Sequence, residues 1–380
     1  MKKDMKTLLY FIAGVLLITG CQEKYYFDPD FTTPTQLESP SSIKLDVTSS
    51  ETVTLSWTGG CAADGGIVLY QILFDKKDGD FSSPIETQKS DLGAEPQLTL
   101  TQSALNAICR KAGIYPEETG DIKWTVTASK GGIVKQSDQV ATISVTRGEG
   151  IDNIPEKLYL TGSATRESEN QFRCISEGVF RIYTLLGNGN IAFRSSDKED
   201  AFKYYVDERP KLREGEGNTP VSASVELSRI TVDFNTLSMK VEEIGKSVRC
   251  IWGCTFGDIA TLNYIGNGVF QGNGDIIFVD QSRPSTNPPS WLSWTEERYY
   301  FIAKVNGTDT CWGKGDGISG ERPTGGETSS FYELHEFAWS QWDHLWKMSG
   351  SLDYTHATVT INTNSDNLMI HSFTNVSSIK

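Results

Sequence analysis

The chain has four histidines, His335, His344, His356 and His371. None stands four residues from another beside a glutamate, the spacing that puts two imidazoles and a general base on one face of a zinc-protease helix. No Gly-x-Ser-x-Gly elbow occurs. The adjacent acids Glu296 and Glu297 point to opposite faces of a strand, so a glycosidic bond would need a carboxylate pair brought together from separate elements. Gly315-Asp316-Gly317-Ile318-Ser319-Gly320 matches the dinucleotide fingerprint letter by letter. Glu321-Arg322-Pro323 then follows where that motif requires a helix, and no βαβ pattern surrounds it. Cys250 and Cys254 lack the second cysteine pair or nearby histidines of a metal site. The chain is therefore expected to be non-catalytic, with no cofactor and no metal.

The tryptophans offer a different chemistry. Six of the nine fall late in the chain: Trp291, Trp294, Trp312, Trp339, Trp342 and Trp346. A sugar ring has an apolar C–H face and a hydroxyl rim, so an exposed indole can cover the face while neighbouring polar side chains meet the rim. Covering about 100 Å² contributes roughly 2.5 kcal/mol. Two such platforms give about 5 kcal/mol, little more than the roughly 4 kcal/mol of a millimolar complex. Single sites are then weak, and repetition along a polymer strengthens them.

Sequence context sorts the nine. Trp57 and Trp124 lie on alternating strand faces and are expected in a core. Trp339, Trp342 and Trp346, at i, i+3 and i+7 with Leu345 adjacent, predict the buried stripe of an amphipathic helix. Trp291 and Trp294 follow Asn287-Pro288-Pro289-Ser290, and Trp312 precedes Gly313-Lys314-Gly315-Asp316, surroundings that predict exposure. Trp252 stands at a strand end, where either role is open. The expected glycan contacts are Trp312, Trp291, Trp294 and Trp252, with Lys314, Asp316 and Arg298 as polar neighbours able to reach hydroxyls.

The elements that must position these residues are strands. The chain is turn-rich, with 35 glycines, and alternates apolar and polar residues with period two. Val53, Leu55 and Trp57 share a face, as do Tyr70, Ile72 and Phe74, and Ile122, Trp124 and Val126. One helix, near Gln102 to Ala112, is predicted from Thr101 as N-cap and Gly113 beyond its end, with Cys109 on its apolar face. About 110 residues of this kind predict an Ig- or fibronectin-like sandwich over residues 34–147. The stretch Gly148-Glu149-Gly150 to Pro155 reads as a linker.

The remainder carries a weak repeat. Leu158-Tyr159-Leu160-Thr161-Gly162, Gly178-Val179-Phe180, Gly189-Asn190-Ile191 and Thr231-Val232-Asp233-Phe234-Asn235-Thr236 mark one copy. Cys250-Ile251-Trp252-Gly253, Gly268-Val269-Phe270, Gly274-Asp275-Ile276 and Thr358-Val359-Thr360-Ile361-Asn362-Thr363 mark the other. Two β-sandwich modules are expected, at 157–245 and 246–380. The second is the larger: Phe278 to Val359 spans 81 positions, against 39 from Phe193 to Val232. The late tryptophans fall in that added length, and long insertions carry function more often than the scaffold does.

Compartment and charge narrow the partners. Lys2, Lys3 and Lys6 precede an apolar run from Leu8 to Ile18, too short to span a bilayer. The run ends in Ile18-Thr19-Gly20-Cys21, similar to the lipobox of bacterial lipoproteins, with residues 1–20 as signal peptide, Cys21 as the lipidated N-terminus and residues 21–33 as tether. Six cysteines remain after Cys21, a number that permits disulfides without requiring them. A net charge of −14 disfavours nucleic acid.

The order of these features resembles the SusE-type outer-membrane lipoproteins. The lipobox, Val53-Thr54-Leu55-Ser56-Trp57, Val68-Leu69-Tyr70 and the helix before Trp124 are similar to the N-terminal domain of that family. Leu158-Tyr159-Leu160-Thr161-Gly162 and Thr231 to Thr236 look like its tandem starch-binding modules. The resemblance implies a cell-surface protein that holds a polysaccharide or oligosaccharide, starch or another glycan, beside a SusC/SusD-like TonB-dependent transporter. Family modules place an aromatic after a Phe-Lys-Phe-like strand. Tyr299-Tyr300-Phe301-Ile302 leading to Trp312-Gly313 matches this, whereas Phe202-Lys203-Tyr204 leads to no tryptophan. The alternative is a structural or assembly lipoprotein packing on a transporter without a glycan site of its own.

Overall fold

The computed structural model describes residues 28–222 and 226–379. The expected signal peptide, Cys21 and most of the tether lie outside the described residues. The protein is all-β, and it divides after Thr146 into two compact units, each described by itself.

The first unit is a sandwich. A three-stranded sheet of Thr35–Glu38, Thr52–Thr58 and Gln97–Thr101 faces a six-stranded sheet built on Leu69–Lys76, Thr119–Lys130 and Ala141–Thr146. Alternation along these strands sends Val53, Leu55 and Trp57 into one core with Ile72, Phe74, Ile122 and Trp124, all buried. Trp57 and Trp124 therefore fill the interior, as their positions on alternating strands predict. The helix runs Gln102–Lys111, and the Thr101 hydroxyl accepts from the Ala104 amide at 3.1 Å. Its inner face buries Leu105, Ile108 and Cys109.

The second unit holds two sheets. A five-stranded sheet around Gly189–Arg194 packs on the first strands of a twelve-stranded sheet, enclosing Phe180, Ile191, Phe193, Tyr204, Ile230 and Val232. The residues of the two expected modules both lie in this unit, and their boundary at 245/246 falls inside one continuous strand, Ser238–Trp252. That strand pairs with Glu226–Asp233 at its start and with Asp258–Gly266 and Arg298–Val305 along its second half. Beyond it the sheet curls back on itself, and a bridge between Glu333 and Ile370 joins its opposite edges. Val248, Leu262, Phe270, Phe301, Trp346 and Val359 fill the enclosed core.

The internal repeat is visible as geometry. Gly178 and Gly268 each turn the chain at positive φ into a strand, Val179–Leu186 and Val269–Ile276. Phe180 pairs with Val232, and Phe270 with Ile361. The copies then part: Gly189 opens a separate strand in the small sheet, while Gly274 continues the strand it stands in.

Candidate functional site

The residues added between Phe278 and Val359 form two longer strands of the curled sheet, Arg298–Val305 and Thr308–Lys314, and two short ones that pair onto them, Leu334–Phe337 and Trp346–Lys347, with loops between. One of these loops, residues 338–345, replaces the helix predicted from the Trp339, Trp342 and Trp346 spacing. Its flanks are tied to strands: Phe337 pairs with Cys311, and Trp346 with Tyr299. The few residues between them include Ser340, Asp343 and His344, weak helix formers. The Ser340 hydroxyl donates to the Asp343 carboxylate at 2.7 Å, and His344 takes a φ of 60°, which ends any right-handed turn.

This loop crosses the outer face of the sheet. Leu345 seals a small apolar cluster with Ile251, Tyr300, Ile302 and Cys311. Close approach depends on Gly313, where a Cβ would stand 2.6 Å from the His344 carbonyl oxygen. That carbonyl accepts from the Lys314 amide at 2.7 Å. With its apolar side buried, the loop turns Trp339 and Trp342 outward.

Trp342 meets exposed Trp291 there, and Trp291 in turn meets exposed Trp294. The Trp342 ring lies 5.5 Å from Trp291, and Trp291 lies 6.0 Å from Trp294, at interplanar angles of 78° and 49°. The three are 45–49% exposed. The Arg298 guanidinium sits 5.9 Å from the Trp342 ring. Beneath them Glu296, fully enclosed, accepts from Trp294 Nε1 at 2.9 Å and from the Arg298 amide at 3.1 Å, and pairs with the Arg298 side chain at 3.3 Å. A buried carboxylate thus fixes both an indole and the cation beside it. Glu297 pairs instead with Arg322 at 3.0 Å, so each of these adjacent acids is matched by an arginine of its own. Trp339, also exposed, packs edge-on against Phe256 at 5.7 Å and donates to the Tyr300 hydroxyl.

Two expected contacts are corrected. Trp312 is fully buried, its ring edge-on to Tyr183 at 5.9 Å and Phe270 at 6.1 Å. Its glycine-rich sequel suggested exposure, but alternation in Thr308–Lys314 points it into the curled sheet. Trp252 is buried too, against Phe278. Lys314 donates its ammonium to the Ile318 carbonyl and so holds its own loop, while exposed Asp316 comes within 3.9 Å of His344. Among the sequence-predicted residues, Trp291, Trp294 and Arg298 are brought together. Trp342 and Glu296 join them unforeseen, while exposed Trp339 packs apart from them on Phe256. The available signal was the run of weak helix formers around Trp342.

All cysteines among the described residues are free thiols. Burial holds the Cys250 thiol well above its ordinary value, pushes Cys254 up to about 11 and Cys311 up to about 12, so these three stay protonated and poorly nucleophilic.

A family model described as SusE outer membrane protein matches residues 22–127. Over those residues the chain is SusE-like. Its place is the outer membrane, and no helix among the described residues is long and apolar enough to cross a bilayer. No curated protein matches the chain. The match ends within the first unit, so the SusE-like segment and the tryptophan cluster occupy separate parts of the sequence.

Proposed function

We propose that this SusE-like protein is a non-catalytic, lipid-anchored glycan-binding protein of the cell surface. Cys21 carries the lipid, the residues after it act as tether, and the second unit holds polysaccharide for a SusC/SusD-like TonB-dependent importer. The observation that carries this reading is the cluster of Trp291, Trp294 and Trp342, half exposed, with Trp291 in contact with both others and Arg298 alongside. Exposed apolar clusters of this kind mark interaction surfaces. Trp294, braced by a buried carboxylate, loses little side-chain entropy on binding. The tilted arrangement suits a curved or branched chain better than a flat one, because successive rings present faces at different angles.

Affinity electrophoresis of the full chain through a panel of polysaccharides tests the proposal, with Trp291→Ala/Trp342→Ala as the paired variant. Retention on at least one glycan that the double variant loses supports it. If no glycan retards the protein, while a transporter co-purifies with wild type and double variant alike, the protein is a structural lipoprotein that packs on the transporter through another surface and the glycan role is wrong.

A further inference from the structure

A cleft of about 300 Å³ opens in the second unit beside the seam that closes the curled sheet, at the lower end of the range for small-molecule sites, about 300–1,000 Å³. Arg173, Arg181, Tyr183, Trp312, His335 and Glu336 line it. It contains none of the residues of the tryptophan cluster.

Three features of the cleft are unresolved within the protein itself. Arg173 and Arg181 stand directly opposite each other on paired strands, a register in which like charges repel. Arg173 is 94% buried, its ion pair with Glu333 is long at 3.6 Å, and its Nε has no hydrogen-bond partner. Trp312 Nε1 is a second buried donor without a partner. Arg181 donates to the Thr231 hydroxyl at 3.1 Å, and no carboxylate among the described residues pairs with it. Burial, with the nearby Arg181 charge adding to it, holds the Arg173 guanidinium below its ordinary value, which an anion in the cleft would reverse.

The carboxylates present define which anion. Glu336 is neutralised by Arg229, which also pairs with buried Glu242 at 2.8 Å. Glu333 stands 3.6 Å from both Arg173 and His335. A phosphate dianion would meet two carboxylates, whereas a single carboxylate can lie between the guanidiniums. Glu333, Glu336 and His335 then accept from hydroxyl groups.

We infer that this cleft is a second carbohydrate site, selective for a uronic-acid unit, with Arg173 and Arg181 holding the sugar carboxylate. The two arginines gain the anion that their register lacks. The site stands independently of the tryptophan cluster.

The test is calorimetric titration of the detergent-solubilised full chain with glucuronate, beside glucose, glucuronic acid methyl ester and inorganic phosphate. Glucuronate is expected to bind at least tenfold more tightly than glucose or the ester. Arg181→Gln, at a half-buried position, should weaken it tenfold or more. Trp291→Ala/Trp342→Ala should leave glucuronate binding unchanged, separating this site from the polysaccharide surface. Glucose or the ester binding as tightly as glucuronate, phosphate binding as tightly, or full affinity in Arg181→Gln would each overturn the assignment.

Discussion

Trp312 and Trp342 are thirty positions apart and belong to the same insertion, yet the structure gives them opposite roles, and replacing each by alanine separates those roles. Trp312 is fully enclosed, with Tyr183 and Phe270 edge-on to its ring. Deleting an indole there removes its transfer free energy and leaves a cavity, a loss of about 3–5 kcal/mol. With a urea dependence of about 2–3 kcal/mol per molar, the unfolding midpoint of the second unit falls by roughly 1–2 M. No hydrogen bond offsets this, because Trp312 Nε1 has no partner. Trp342 is 45% exposed, so Trp342→Ala should cost about 1 kcal/mol of stability or less. It removes one platform, about 2.5 kcal/mol if 100 Å² of sugar is covered, which is a loss of glycan affinity of up to roughly seventy-fold. Urea titration by circular dichroism and gel retention on the responsive polysaccharide measure the two effects side by side. The reasoning fails if Trp312→Ala keeps the wild-type midpoint, or if Trp342→Ala unfolds the unit while Trp312→Ala leaves it intact.

Other perturbations read out the supports of the site. Gly313→Ala drives a Cβ into the His344 carbonyl and should displace the loop 338–345, lowering stability by about 1–3 kcal/mol and weakening glycan retention in the same variant. Arg229→Ala leaves buried Glu242 with only Lys240, at 2.6 Å, as its cation and should cost about 1–3 kcal/mol, measured by urea unfolding. His371 is enclosed and neutral: Nδ1 donates to the Tyr332 carbonyl at 2.9 Å, Tyr299 donates to Nε2 at 2.7 Å, and burial lowers the imidazole from 6.5 to about 3. The unfolded chain takes up this proton first, so stability is complete above about pH 6.5 and declines below it by up to about 1.4 kcal/mol per pH unit, until about pH 3. Comparing urea midpoints at pH 7 and 5.5 checks this, and His371→Gln should flatten that part of the slope.

The first unit could be read from its sequence because local signals and tertiary packing agree there. Thr52–Thr58 alternates strictly, and its apolar residues are the buried ones. The helix begins after Thr101 and ends before Gly113, where capping chemistry predicts. The second unit reads less directly. The continuous strand Ser238–Trp252 changes partners midway, so a break placed by repeat spacing falls where the backbone has none. Alternation by itself does not say which neighbour a long strand will pair with.

Strand periodicity, turn glycines and capping residues determined the all-β character, the position of the helix and the presence of a repeat, because each depends on residues close along the chain. Which indoles meet solvent was decided only in three dimensions. Trp339, Trp342 and Trp346 have helical spacing, but strand pairing on both flanks leaves too little chain for a helix and sends two of the three outward. Trp312 sits among glycines, yet the curl of the sheet closes over it. Burial depends on what packs across a sheet, and those partners lie tens of residues or more away: Arg298 over Trp342, Trp291 against Trp342, and Tyr183 against Trp312.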